Sequence, residues 1–149
     1  MNKRILIIKL VIMLVLIFTG TAYAEDNPFQ GLTQEQVIQK YFEGRQLDTI
    51  EGIWLNDDWK PQIVIKSNLI DPSKKYGDYD YIMVEYSSKS TTKIEGINKT
   101  EYSSCFRIGA WHGGLRLTSV TTLMRNSGGY YGTPLYRFYT RIYPSEMKS

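Results

Sequence analysis

The sequence predicts a mainly β protein: an antiparallel meander of seven or eight strands, closed as a barrel or packed as a sandwich, behind one N-terminal helix. Three observations predict it. Apolar residues recur at helical spacing once, over residues 34–43, and at a spacing of two thereafter. Short runs rich in Ile, Val, Tyr and Phe are separated at regular intervals by Asn, Asp, Gly and Ser clusters as far as Tyr143. Strand-like runs do not alternate with helical ones, which argues against an α/β enzyme fold.

The first element is a leader. Lys3 and Arg4 precede an apolar run from Ile5 to Phe18, interrupted only by Lys9, and Ala22-Tyr23-Ala24 supplies small residues where a signal peptidase reads. That order predicts a cleavable export signal over Met1 to about Ala24, with Glu25 as the new first residue. From Leu10 to Phe18 the uncharged stretch covers about half of the ~20 residues a membrane-spanning helix needs. No cysteine stands directly after it, so a lipoprotein anchor is not indicated. The expected location is periplasmic or extracellular.

Removing the leader changes the charge argument. The chain has 18 basic and 15 acidic residues; the leader holds three of the basic ones and none of the acidic ones, which leaves a net charge of zero. Global attraction to nucleic acid or anionic lipid disappears with it. The rest, residues 25–149, has the size of one domain. A single cysteine, Cys105, excludes an intramolecular disulfide, so packing alone must hold the domain.

Glu25 to Gly31 reads as a polar lead. Thr33 and Gln36 form a capping box, Leu32 and Val37 a hydrophobic staple, and Gly44 a left-handed stop, which predicts a helix over Gln34 to Glu43. Strands are predicted at Ile50–Leu55, Gln62–Lys66, Tyr79–Tyr86, Lys93–Lys99, Tyr102–Ala110, Leu115–Leu123 and Pro134–Tyr143. The run from Tyr79 is apolar on both faces and is predicted to be central. In the fifth run Tyr102, Phe106, Ile108 and Ala110 share a face. Asn56-Asp57-Asp58, Asp71–Lys75, Ser87–Thr92, His112-Gly113-Gly114 and Asn126–Gly129 read as turns and loops.

Chemistry-bearing residues are few. One histidine and one cysteine cannot make a structural zinc site, and Asp57-Asp58 lacks the spaced oxygens of a calcium loop. Gly77-Asp78-Tyr79-Asp80 reads as a solvated turn. Neither a metal nor a cofactor is expected. A catalytic Cys105–His112 pair would have to close seven residues of extended chain, roughly 20 Å. Catalytic residues are therefore not assigned. Asn98-Lys99-Thr100 matches a glycosylation sequon, read as chance in a chain with a bacterial-type leader.

Gly52-Ile53-Trp54 carries fold information. A G-x-W on the first strand after a helix resembles the opening of the lipocalins and related calycin barrels, over roughly Leu47 to Tyr143. The resemblance implies that Trp54 closes one barrel end, with an arginine from the last strand, Arg137 or Arg141, across its ring. Leu47 to Trp54 also resembles a run in uncharacterised exported bacterial proteins. Tyr79 and Tyr81 in one stretch, and Tyr136 and Tyr139 in another, are candidate ligand-binding residues; the bland reading is ordinary sheet packing.

Three functions remain. The first is a non-catalytic binding module of the cell envelope, holding a small apolar ligand in the barrel. The second is a protein-interaction or inhibitor domain working through surface loops such as Asp71–Gly77 and Asn126–Gly132. The third is an enzyme using Cys105. A hollow interior favours the first, and a solid interior with an exposed apolar patch the second.

Overall fold

The computed structural model describes residues 27–86, 93–109, 113–127 and 135–146. The leader expected at Met1 to Ala24, the turn at Ser87–Thr92, and Ala110, His112, Tyr130 and Tyr131 lie outside these residues.

The predicted strands form a closed barrel. Its strands are β1 (Gly52–Asn56), β2 (Pro61–Lys66), β3 (Tyr81–Glu85), β4 (Ile94–Lys99), β5 (Cys105–Ile108), β6 (Gly114–Leu117), β7 (Thr122–Ser127) and β8 (Leu135–Tyr143). Each pairs antiparallel with the next, and β8 returns to pair with β1, so the structure is a barrel and not a sandwich. Closure leaves no sheet edge to be shielded.

The helix begins as its caps require. Gln36 N donates to Thr33 Oγ1 (3.2 Å), and Thr33 N donates to Gln36 Oε1 (2.8 Å). Helix α1 (Gln34–Val37) then widens into a π-type turn, Ile38–Phe42, in which Glu43 N donates to Ile38 O (2.8 Å). Residues five apart diverge on a plain α-helix; the extra residue per turn brings Val37 and Phe42 round to one side. Both are buried. Gly44, at φ +74, ends the segment.

Alternation along the strands sorts the side chains into two apolar clusters. The inner one fills the barrel and draws on every strand: Trp54, Val64, Tyr81, Met83, Ile97, Phe106, Ile108, Leu115, Leu123 and Tyr139, with Ile50 below Trp54. The outer one lies between the wall of β1–β4 and the segment carrying the helix. There Ile53, Ile63, Ile65, Ile82 and Val84 pack under Phe29, Val37 and Phe42. This explains why β3 is apolar on both faces. A closed barrel has no central strand; β3 is covered inside by the core and outside by the helix.

Four details differ from the sequence reading. The run Leu115–Leu123 is two strands, because Thr118–Thr121 turns: Thr121 N donates to Ser119 Oγ (3.2 Å), and Thr118 N donates to Thr122 O (3.0 Å). Asn126 remains in β7. Tyr102 is exposed in the turn before β5 and does not join Phe106 and Ile108. A short helix, α2 (Ser67–Ile70), follows β2 and leads into a loop held by buried Asp71, whose carboxylate accepts from Lys75 N (2.7 Å) and Tyr76 N (2.8 Å).

Candidate functional site

Chain geometry concentrates unusual side chains in three places: one end of the barrel, a polar layer inside it, and the outer wall of β5–β8.

At the first, Trp54 points inward from β1 and is fully buried. Its indole Nε1 donates to Ile50 O (2.9 Å). The Arg141 guanidinium lies 4.1 Å from the ring centroid, a cation–π arrangement. Its nitrogens donate to three backbone carbonyls, Glu51 O (2.8 Å), Val120 O (2.6 Å) and Thr49 O. One side chain on β8 thus ties the approach to β1 and the β6–β7 turn over the tryptophan. Burial pushes Arg141 down to about 10, so it stays charged at neutral pH.

Gly52 belongs to the same arrangement. Its φ of +141 suits glycine alone, and a Cβ there would stand 2.1 Å from Tyr143 O and 3.1 Å from Arg141 Nη1. The spacing of G-x-W therefore has a physical cause: the glycine admits the backbone and arginine of β8, and the tryptophan two residues on receives that arginine. Beside it, the buried Glu51 carboxylate accepts from Asp48 N (3.0 Å) and Lys66 N (3.2 Å) and pairs with Arg45 Nη2 (2.7 Å).

Inside the barrel, toward the opposite end, the apolar core gives way to polar groups. Glu95 and Ile97 alternate inward on β4, as do Arg125 and Leu123 on β7. β5 and β6 lie between those strands in the wall, so the Glu95–Arg125 pair spans the lumen as a chord. It is bidentate, with Nη1 to Oε2 at 2.6 Å and Nη2 to Oε1 at 2.8 Å. Burial pushes the Glu95 carboxyl up, but its bonds to Arg125 and Lys93 outweigh burial and hold it below the usual carboxylate range. Burial likewise opposes the Arg125 charge, and Glu95 and Tyr139 outweigh it. Gln62 and Glu85, register partners in the inward phase of β2 and β3, share a hydrogen bond (3.4 Å).

The residues named from the sequence divide among these regions. Trp54 and Arg141 meet. Arg137 stands at the opposite end, 3.9 Å from Asp58 Oδ2. Tyr81 faces the lumen and donates to Asp48 Oδ2 (2.8 Å); burial, and then Asp48, raise its hydroxyl well above the usual phenol range. Tyr139 is buried beside the cross-lumen pair. Tyr79 lies outside: its ring occupies the space a Cβ on Gly96 would need, 2.0 Å from Tyr79 Cδ2. Tyr136 is on the outer wall, 50% exposed. Tyr79 and Tyr81 border one cleft, with Lys66, Asp80 and Lys99, and Tyr136 and Tyr139 lie away from it. Sequence reading missed Glu95 and Arg125; the available signal was a charge in the inward phase of a strand.

On the outer wall of β5–β8, Phe138 joins Tyr136 among the exposed aromatics. Beside this wall, Asp57 Oδ2 accepts from Phe138 N (3.5 Å). The same turn carries Trp59, 80% exposed, at φ +60. Asn56 Oδ1 fixes that turn by accepting from Asp58 N (3.0 Å) and Lys60 N (2.8 Å). A bulky residue in this conformation costs on the order of 1 kcal/mol or more.

These features define a class: a closed eight-stranded antiparallel meander barrel with an arginine-covered tryptophan at one end and an ion pair across its lumen. No family model matches the chain, and comparisons with curated proteins and with solved structures give no match either.

Proposed function

We propose that this chain is an exported, non-catalytic protein-interaction module of the cell envelope, built on a lipocalin-like barrel that binds through its outside. The observation that carries the reading is the Glu95–Arg125 chord. An apolar ligand in the lumen would have to lie against a carboxylate and a guanidinium already satisfied by each other, or separate them at the cost of their desolvation. Below that chord the core is filled by Trp54, Tyr81, Met83 and Phe106. Large apolar side chains stand instead on the surface, at Trp59, Tyr136 and Phe138. Support for the lipocalin-like assignment comes from Gly52, Trp54 and Arg141 acting as one unit. Support for export comes from the charged, apolar and small-residue order of Met1 to Ala24.

Native mass spectrometry of the protein drawn from a bacterial envelope tests this. The expected spectrum shows a chain beginning at Glu25 or within a residue or two of it, free of small molecules, together with a heavier complex containing a second protein. A retained small apolar molecule without any protein complex overturns the reading in favour of lumen binding.

A further inference from the structure

We infer that the outer wall of β5–β8 is the docking surface of this module, and that it takes an acidic protein face carrying an apolar groove. The inference rests on the protein-binding reading above and names the surface and the partner's chemistry.

Strand register builds the surface. Cys105, Arg116, Met124 and Phe138 are successive partners across the four strands and form one row. Arg107, Gly114, Asn126 and Tyr136 form the next. All are in the outward phase, opposite to the buried Phe106, Leu115, Leu123 and Tyr139. Arg107 and Arg116 are exposed, and neither guanidinium has a hydrogen-bond or ion-pair partner among the described residues. No Asp or Glu occurs anywhere in β5–β8. The wall is therefore cationic at β5–β6 and aromatic at β8, on a chain that is neutral once its leader is removed.

Charge complementarity selects the occupant. Unpaired guanidiniums are forks that match carboxylates two bonds at a time, and arginines beside aromatic rings recur as anchors of protein interfaces. Carboxylates on the partner would meet Arg107 and Arg116, while its apolar groove would receive Tyr136 and Phe138. The fixed Trp59 turn stands at the Phe138 side as a further anchor.

Photo-crosslinking in the intact envelope tests the surface. One full-length chain carries benzoylphenylalanine in place of Phe138, and a second carries it in place of Gln39, exposed on the helix that covers the opposite wall. The expected result is a protease-sensitive adduct at Phe138 and none at Gln39. Adding Arg107→Glu and Arg116→Glu should lower the Phe138 adduct yield about tenfold while the melting temperature is kept, because opposing charges are replaced by like ones. Should the double reversal impair folding, Arg107→Gln with Arg116→Gln serves instead, with a smaller loss expected. An adduct unaffected by either pair of substitutions overturns the inference. So does an adduct extracted with lipid, which would mark a membrane surface, or one of twice the chain's own mass, which would mark a second copy. A protein adduct at Gln39 alone overturns this surface and leaves the protein-binding reading standing. Absence of a protein adduct at both positions overturns both.

Discussion

The two halves of the barrel wall share an interior and differ outside. β1–β4 carry Ile53, Ile63, Ile65, Ile82, Val84 and the half-buried Ile94 outward, in one cluster with Phe29, Val37 and Phe42. β5–β8 carry Arg107, Arg116, Tyr136 and Phe138 outward, with those side chains exposed. Inward, both halves supply the same kind of residue to one core. The contrast separates two requirements. Closing the barrel needs only the inward phase of each strand. The outward phase is free to hold a roof in one half and to meet solvent or a partner in the other.

Variants in the shared interior should have the largest effect, and should spare neither half. Trp54→Ala removes a buried ring that holds Arg141 above it. The expected loss is roughly 3–5 kcal/mol, set against a total of ~5–15 kcal/mol for a typical domain. Its cooperative melt should vanish or fall far below the parent temperature. In the parent, an aqueous quencher should not reach Trp54 but should reach Trp59. A small melt shift would remove Trp54 from the closure of the barrel.

Arg125→Met comes next. It leaves Glu95 buried without its guanidinium, at an expected cost of about 3 kcal/mol near neutral pH. The pH dependence follows from the pKa shifts. In the parent, Glu95 sits below its ordinary range, so the stability it contributes is full above that range and is lost as pH falls through the depressed value. In the variant, burial acts with less opposition and raises Glu95, which takes up a proton more readily in acid. The gap between parent and variant should therefore narrow as the medium is made acidic. Thermal melts of the two chains across that range check it, and a gap that widens in acid contradicts the cross-lumen assignment.

The same contrast governs how much was legible in the sequence. Strand β2 was readable from its β-branched run Ile63-Val64-Ile65, and β8 because a period of two survives there. The helix start was readable because Thr33, Gln36 and Leu32 specify it locally, but the π-type turn was not, because its cause is the position of the wall beneath Phe42. β3 was read as central from its unbroken apolar run, the mark of burial on both faces; that the roof does the covering is a tertiary fact. The turn at Thr118–Thr121 was hidden because Val120 and the threonines suit a strand as well, and only the Ser119 hydroxyl bond decides. At the site, Gly52 and Trp54 announced themselves through their spacing, but the choice of Arg141 over Arg137 depends on register. Glu95 and Arg125, thirty residues apart in sequence, meet only across a closed lumen.

The smallest expected effects decide whether the two walls differ as described. Val37→Ala cuts into the roof of β1–β4, where its side chain is fully buried against the outer cluster. The expected loss is about 2 kcal/mol. Phe138→Ser removes a larger side chain from β8, but one that is 48% exposed and lacks a roof. Its inward neighbours Arg137 and Tyr139 keep their places, and Phe138 N keeps its bond to Asp57 because that bond is made by the backbone. The change in stability should stay within about 0.5 kcal/mol, as for surface sites without a structural duty. The smaller residue thus has the larger effect on the melt, reversing the order that side-chain size alone would give. Denaturant titrations of the two variants beside the parent measure this directly. If Phe138→Ser proves as costly as Val37→Ala, the β5–β8 wall is part of the domain's own packing, and its aromatic residues are no longer free to serve a partner.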